Sequence, residues 1–164
     1  MARGPEVERP TPALGGLLET SLYARDLKQT ASFYRDLLGA KTLVDSPRLV
    51  AFDVGRSVLL VFQAGATEAD SVDQRGCIPG HGGGGRLHLA LSVAAKDLET
   101  WRGRLLERNI AITGEYHWPR GGVSLYFQDP DGALVELATP GLWWKPEAGE
   151  SFSISPETNA PSRA

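Results

Sequence analysis

The stretch "LYFQDPDGALVELATP", Leu125–Pro140, sets two apolar runs either side of Asp129-Pro130-Asp131-Gly132. Pro and Gly at those places are the residues of a reversing turn, so the two runs predict a hairpin. The second run, Ala133–Ala138, reads as a buried strand with Glu136 in its middle. A carboxylate in such a strand costs several kcal/mol unless it is paired, hydrogen-bonded or bound to a cation.

Working back from the hairpin, the order of patterns is strand, helix, then strands. Leu87–Val93 (LHLALSV) alternates as a strand does. Asp97-Leu98 opens "LETWRGRLLERNIAI", with Leu98, Trp101, Leu105 and Leu106 at helical spacing. The first half repeats that grammar. Leu17–Tyr23 (LLETSLY) reads as a strand, and Asp26-Leu27 leads into "LKQTASFYRDLLGA", which ends at Gly39, a helix C-terminus signal. "RLVAFDVGRSVLLVFQ" follows as two strands with a turn near Asp53–Arg56. The step from Phe33 to Leu37-Leu38 matches that from Trp101 to Leu105-Leu106, each after an Asp-Leu pair. The halves are therefore two copies of one α+β unit: module one over 14–65, a linker over 66–86 and module two over 87–144. The long segment Ala64–Arg86, with Pro79 and glycines at 82–85, reads as a structureless joint or pocket edge whose glycines could also cradle an anion. Residues 1–11 and 145–164 show no apolar period and read as loose tails. Trp143 and Trp144 are expected to pack the chain end onto the body or onto a partner.

Composition narrows the function classes. With 17 Lys and Arg against 20 Asp and Glu the formal charge is −3, and no basic stripe interleaves with aromatics, so nucleic acid is not an expected partner. No apolar run approaches a membrane span, and no signal peptide pattern opens the chain. One cysteine, Cys77, excludes an internal disulfide and fits a reducing compartment. These features predict a cytoplasmic protein.

The repeat gives Glu136 company. Glu19 and His88 occupy matching places in the first strands of the two halves, and the place matching Glu136 falls near Leu60. Taken singly, Glu19 reads as an exposed edge residue, His88 as a hydrogen-bonded core histidine, and Glu136 as the partner of Arg86 or Arg120. Taken as a set, two carboxylates and an imidazole suit a divalent ion such as Fe, Mn, Ni or Zn, and three protein ligands leave room for water and substrate. His81, in the glycine-rich loop, and His117, Trp118 and Tyr126, beside the second-half hairpins, are the candidate substrate contacts, with His81 also a candidate proton carrier.

"LYARDLKQTASFYRDLLGA" and "LYFQDPDGALVEL" together resemble the opening strand–helix and closing hairpin of the vicinal oxygen chelate superfamily. That superfamily includes glyoxalase I, extradiol dioxygenases and the bleomycin-resistance proteins. The resemblance implies tandem βαβββ modules curling into a U-shaped mixed-sheet cleft, usually in a homodimer. It implies a metal that chelates a small substrate through two neighbouring oxygens, with Glu19, His88 and Glu136 as ligands and Glu19 or Glu136 as base. Lyase, isomerase or dioxygenase chemistry is expected. Two departures stand out. Glu19 replaces a commoner histidine, which weighs against an extradiol dioxygenase. Leu60 stands where glyoxalase I has a further glutamate, although Gln63 lies nearby. The rival reading is a metal-free binder of the bleomycin-resistance kind, with Trp118 and Tyr126 as stacking surface. A fosfomycin thiol transferase is a third reading, which the scatter of the arginines does not favour.

Overall fold

A computed structural model describes residues 11–143. Apart from Thr11, the two expected tails lie outside the described residues, as does Trp144. Module one runs β1 (Glu19–Ala24), α1 (Leu27–Leu38), β2 (Thr42–Asp45), β3 (Leu49–Asp53) and β4 (Val58–Gln63). A small hairpin follows, β5 (Ser71–Asp73) and β6 (Gly76–Ile78). Module two runs β7 (His88–Ser92), a 3₁₀ turn (Ala95–Asp97), α2 (Leu98–Glu107), β8 (Gly114–His117), β9 (Val123–Gln128) and β10 (Leu134–Ala138). The modules form two four-stranded sheets, ordered β1-β4-β3-β2 and β7-β10-β9-β8. In each, the first strand lies parallel to the last and the remaining pairs are antiparallel. This is the expected α+β architecture of two βαβββ units.

Local chemistry sets the helix ends. Asp26 caps α1 by accepting from the Gln29 amide at 3.0 Å, and Gly39 closes it with φ 62. The last carbonyls of α1 are met from the other module: Arg104 donates to Leu37 and Asp36, and Arg108 donates to Asp36. Alternation sends Leu22, Val50, Phe52, Leu59 and Val61 of the first sheet toward the helices, together with Phe127, Val135 and Leu137 of the second. With Tyr34, Leu37 and Leu105 they make one core shared by both modules. Each such large side chain contributes about 1.5–3 kcal/mol by leaving water.

The Asp129–Gly132 turn does more than reverse the chain. Asp129 Oδ1 accepts from the amides of Asp131 and Ala133, and Oδ2 accepts from the buried Tyr34 hydroxyl at 2.9 Å. Asp131 reaches back to module one, accepting from Thr30 Oγ1 at 2.7 Å and from Arg25 through both backbone N and Nε at 3.0 Å. Burial alone would raise the Asp131 carboxyl, but bonds from Thr30 and Arg25 and the Arg25 charge hold it below the usual carboxylate range. Burial, then the adjacent Asp129 charge, pushes the Tyr34 hydroxyl far above its ordinary value.

The segment expected to be structureless is not. It contains the β5–β6 hairpin, whose turn is held by Asp73 accepting from the Arg75 amide at 2.7 Å. Beyond it, His81 N donates to the Thr67 carbonyl and Thr67 Oγ1 donates to the His81 carbonyl, both at 2.7 Å. Gly83 is glycine because of close approach: a Cβ there would stand 2.7 Å from the Tyr23 ring.

Candidate functional site

Strand register makes the repeat quantitative. Glu19 pairs with Val58 and Ser21 with Leu60, while His88 pairs with Leu134 and Ala90 with Glu136. Measured from the hairpins, Asp53 opposes Val58 as Gln128 opposes Leu134. Glu19 and His88 are thus equivalent positions of the two modules, and so are Leu60 and Glu136.

On β10, Val135 and Leu137 face the core, so Glu136 points to the other side of the sheet. There it is only 4% exposed, because neighbours on the same face close around it. Its Oε1 accepts from the Ser124 hydroxyl in a short bond and from the Tyr126 hydroxyl at 3.1 Å. Ser124 Oγ in turn accepts from the Trp118 indole N–H at 2.8 Å. Oε2 lies 3.1 Å from His88 Nε2, and the His88 side chain is half exposed. Trp118 and Ser124, with Tyr126, therefore fix one carboxylate oxygen and leave the other aimed at an imidazole. Burial raises the Tyr126 hydroxyl above its ordinary value; the Ser124 hydroxyl opposes that shift and the Glu136 charge adds to it.

Glu136 is partnered by these groups and not by Arg86 or Arg120; Arg120 instead donates to the Trp143 carbonyl. Trp143 itself is 72% exposed rather than packed onto its own chain.

Glu19 is not part of this cluster within one chain. It is exposed at the first position of β1, an edge strand. Among the described residues no three His, Cys, Asp or Glu side chains come together to hold an ion. His81 belongs to the first module's face: its Nδ1 lies 2.8 Å from the Tyr23 hydroxyl and its ring 5.0 Å from that of Phe62. His117 pairs across the sheet with Val123, and Nε2 lies 3.0 Å from Glu115, which also binds Arg102 of α2. Its neighbour in the alternation, Tyr116, pairs with Ser124. His117 is thus on the helix side of the sheet, opposite Glu136, because it alternates with Tyr116, whose partner Ser124 shares the face of Glu136. Gln63 is also on the helix side, donating to the Arg25 carbonyl at 3.0 Å and accepting from the Leu27 amide, so it does not substitute for a carboxylate at Leu60. Sequence reasoning passed over Ser124 and Tyr116; the alternation of "VSLYFQ" carried the signal for Ser124, two residues from Tyr126.

A cavity of about 330 Å³ lies elsewhere, between Tyr23, Gly83–Gly85 and the Asp129–Asp131 turn. It is lined by neither His88 nor Glu136; the face that bears those two is open.

The chain resembles known proteins over most of its described length. The model of the Glyoxalase/Bleomycin resistance protein/Dioxygenase superfamily matches residues 16–137. A metallothiol transferase FosB from Staphylococcus saprophyticus is 28% identical over 118 residues, covering 71% of this chain and 72% of that one. The crystal structure of lactoylglutathione lyase from Agrobacterium tumefaciens superposes with a TM-score of 0.74 at 31% identity, over 80% of this chain and 98% of that one. The fosfomycin resistance protein FosX from Listeria monocytogenes shares the fold, with a TM-score of 0.57 at 18% identity over 77% of this chain and 94% of that one. With a family model spanning both modules, the chain is a member of the Glyoxalase/Bleomycin resistance protein/Dioxygenase superfamily.

Proposed function

We propose that the protein is a divalent-metal-dependent enzyme acting on a small substrate with two adjacent oxygens. Members of its superfamily act on small molecules, generally with a divalent metal, and are often dimers. One observation carries the reading: a nearly buried carboxylate whose free oxygen stands 3.1 Å from an imidazole nitrogen on an open sheet face. That donor set fits an ion of the Fe, Mn, Ni or Zn class, since ligands bonded at about 2.0–2.2 Å sit roughly 3 Å from each other. His88 and Glu136 supply two ligands, and Glu19, equivalent to His88 by register and exposed at a sheet edge, supplies the third from a second copy of the chain.

When bound, such an ion polarises a carbonyl or stabilises negative charge developing on the substrate oxygens. The chain's own residues do the rest. Ser124 and Tyr126 donate to Oε1 and so hold the Glu136 carboxylate in one orientation, a role that outer partners of metal ligands commonly fill. His88 must offer an unprotonated Nε2, which places its proton on Nδ1. A glutamate released from the ion would take a proton from substrate; Ser124 and Tyr126 hold Glu136 in place, which leaves Glu19 the freer of the two for that role.

The reaction is of the lyase, isomerase or dioxygenase kind. A second reading, addition of a thiol to an electrophile, is favoured by similarity to proteins named metallothiol transferases. Elemental analysis of protein purified without chelator tests the shared premise. One ion per chain is expected, with Glu136→Gln and His88→Ala losing it. Metal-free protein, together with a Glu136→Gln variant of unchanged thermal stability, would sink the reading in favour of a metal-free binder.

A further inference from the structure

The open face of the second sheet carries aromatic surface that holding an ion does not require. Tyr116 pairs across the ladder with Ser124, so its ring stands on the Glu136 side. It is 51% exposed and meets the Trp118 indole edge-on, with centroids 4.8 Å apart. Trp118 is itself fixed by its bond to Ser124. Gly114 opposes Tyr126 in the ladder, and a Cβ there would lie 3.6 Å from the Tyr126 ring, so a side chain at this position would cover a ring that glycine leaves bare.

Charge gives a second, independent observation. By register, the strand positions that share the face of Glu136, and those that share the face of Glu19, include no Lys or Arg, while they carry Glu19, Asp53 and Glu136. A phosphate or phosphonate is held by guanidinium forks and ammonium groups, and would find neither at these strand positions. A neutral ring would find Tyr and Trp faces.

We propose that the substrate is an uncharged aromatic compound with its adjacent oxygens on or beside the ring. The ring rests against Tyr116 and Trp118 and the oxygens point toward His88 and Glu136. The inference rests on the metal-centred reading of the same site. Neighbouring strands lie about 4.8 Å apart, so Tyr116 on β8 and Glu136 on β10 are separated by about 10 Å of sheet, the span of a substituted ring or a fused pair.

Calorimetry on the full chain, loaded with Mn²⁺ and dialysed free of unbound ion, tests this with catechol, 1,2-propanediol and methylphosphonate. Catechol is expected to bind roughly tenfold tighter than either aliphatic probe. Tyr116→Ala should abolish the preference and Tyr116→Phe should keep it, both at the parent's Mn²⁺ content. Methylphosphonate binding as tightly as catechol, or unchanged catechol affinity in Tyr116→Ala, overturns the aromatic assignment. Failure to take up Mn²⁺ overturns the metal-centred reading instead. Catechol binding that persists without Mn²⁺ and falls in Tyr116→Ala supports the ring seat alone.

Discussion

Glu136 is tolerated in a core-forming strand because three side chains on its own face satisfy it. The Ser124 hydroxyl is the most buried of them, and it links Glu136 to Trp118. Removing it in Ser124→Ala leaves Oε1 with Tyr126 alone. Metal affinity should then fall about 10- to 100-fold, measured by competitive titration with a chromophoric chelator. Global stability should drop by about 1–3 kcal/mol, since the bond to Glu136 and the bond from the Trp118 indole are both lost. A loss of stability without loss of affinity would show that Ser124 serves the fold and not the carboxylate. His117 teaches a complementary lesson. Its type suited the site, but strand alternation set it beside Glu115 and Arg102, on the far side of the sheet. His117→Ala should therefore leave metal affinity unchanged within about twofold, while its weak exposed pairing contributes at most about 1 kcal/mol to stability.

Among the elements, the Asp129–Gly132 turn binds the two modules to each other. Asp131 takes three bonds from Thr30 and Arg25, next to the start of α1. Its carboxyl is depressed in the folded state, so its contribution is complete above the usual Asp value of about 3.9 and is lost as pH falls through that value toward the lower folded one. Asp131→Asn should cost about 1–3 kcal/mol in urea melts at neutral pH. That difference should shrink as pH falls below the usual Asp value of about 3.9 and vanish only below the lower folded one, where the parent is protonated as well. A difference that stays constant with pH would show that shape, not charge, holds the turn. The turn and the Gly39 terminus were legible in the sequence, because each is a local rule written in neighbouring residues; Asp26 was legible as the residue that opens the helix pattern, and the structure adds that it caps α1. The β5–β6 hairpin was not, since three-residue strands are too short to display a period of two. Nor were Arg104 and Arg108 on the carbonyls of α1, which are contacts between helices far apart in sequence.

At the scale of the whole molecule, the tandem repeat identified the architecture and the equivalence of Glu19 with His88. Equivalence is not proximity. A repeat tells which positions correspond, and the packing of one module on the other decides which of them meet; within one chain His88 meets Glu136 and Glu19 stands apart. Leu60, apolar where its counterpart is Glu136, leaves the face of the first sheet unable to hold an ion by itself. The proposed centre therefore needs two copies, each lending Glu19 to the other's His88–Glu136 pair. Mixing Glu19→Gln chains with His88→Ala chains should restore metal binding that neither variant shows alone, since one of the two sites in a mixed dimer is intact. Sedimentation of the mixture establishes whether dimers formed.

Anomalous diffraction from crystals grown with Mn²⁺ or Zn²⁺, recorded at the metal edge, tests the shared centre most directly. The account predicts one peak per chain, bonded to His88 Nε2 and Glu136 Oε2 and reached by Glu19 of a second copy. A peak held by other residues, or a His88–Glu136 pair closed by its own hydrogen bond with no peak beside it, would contradict it.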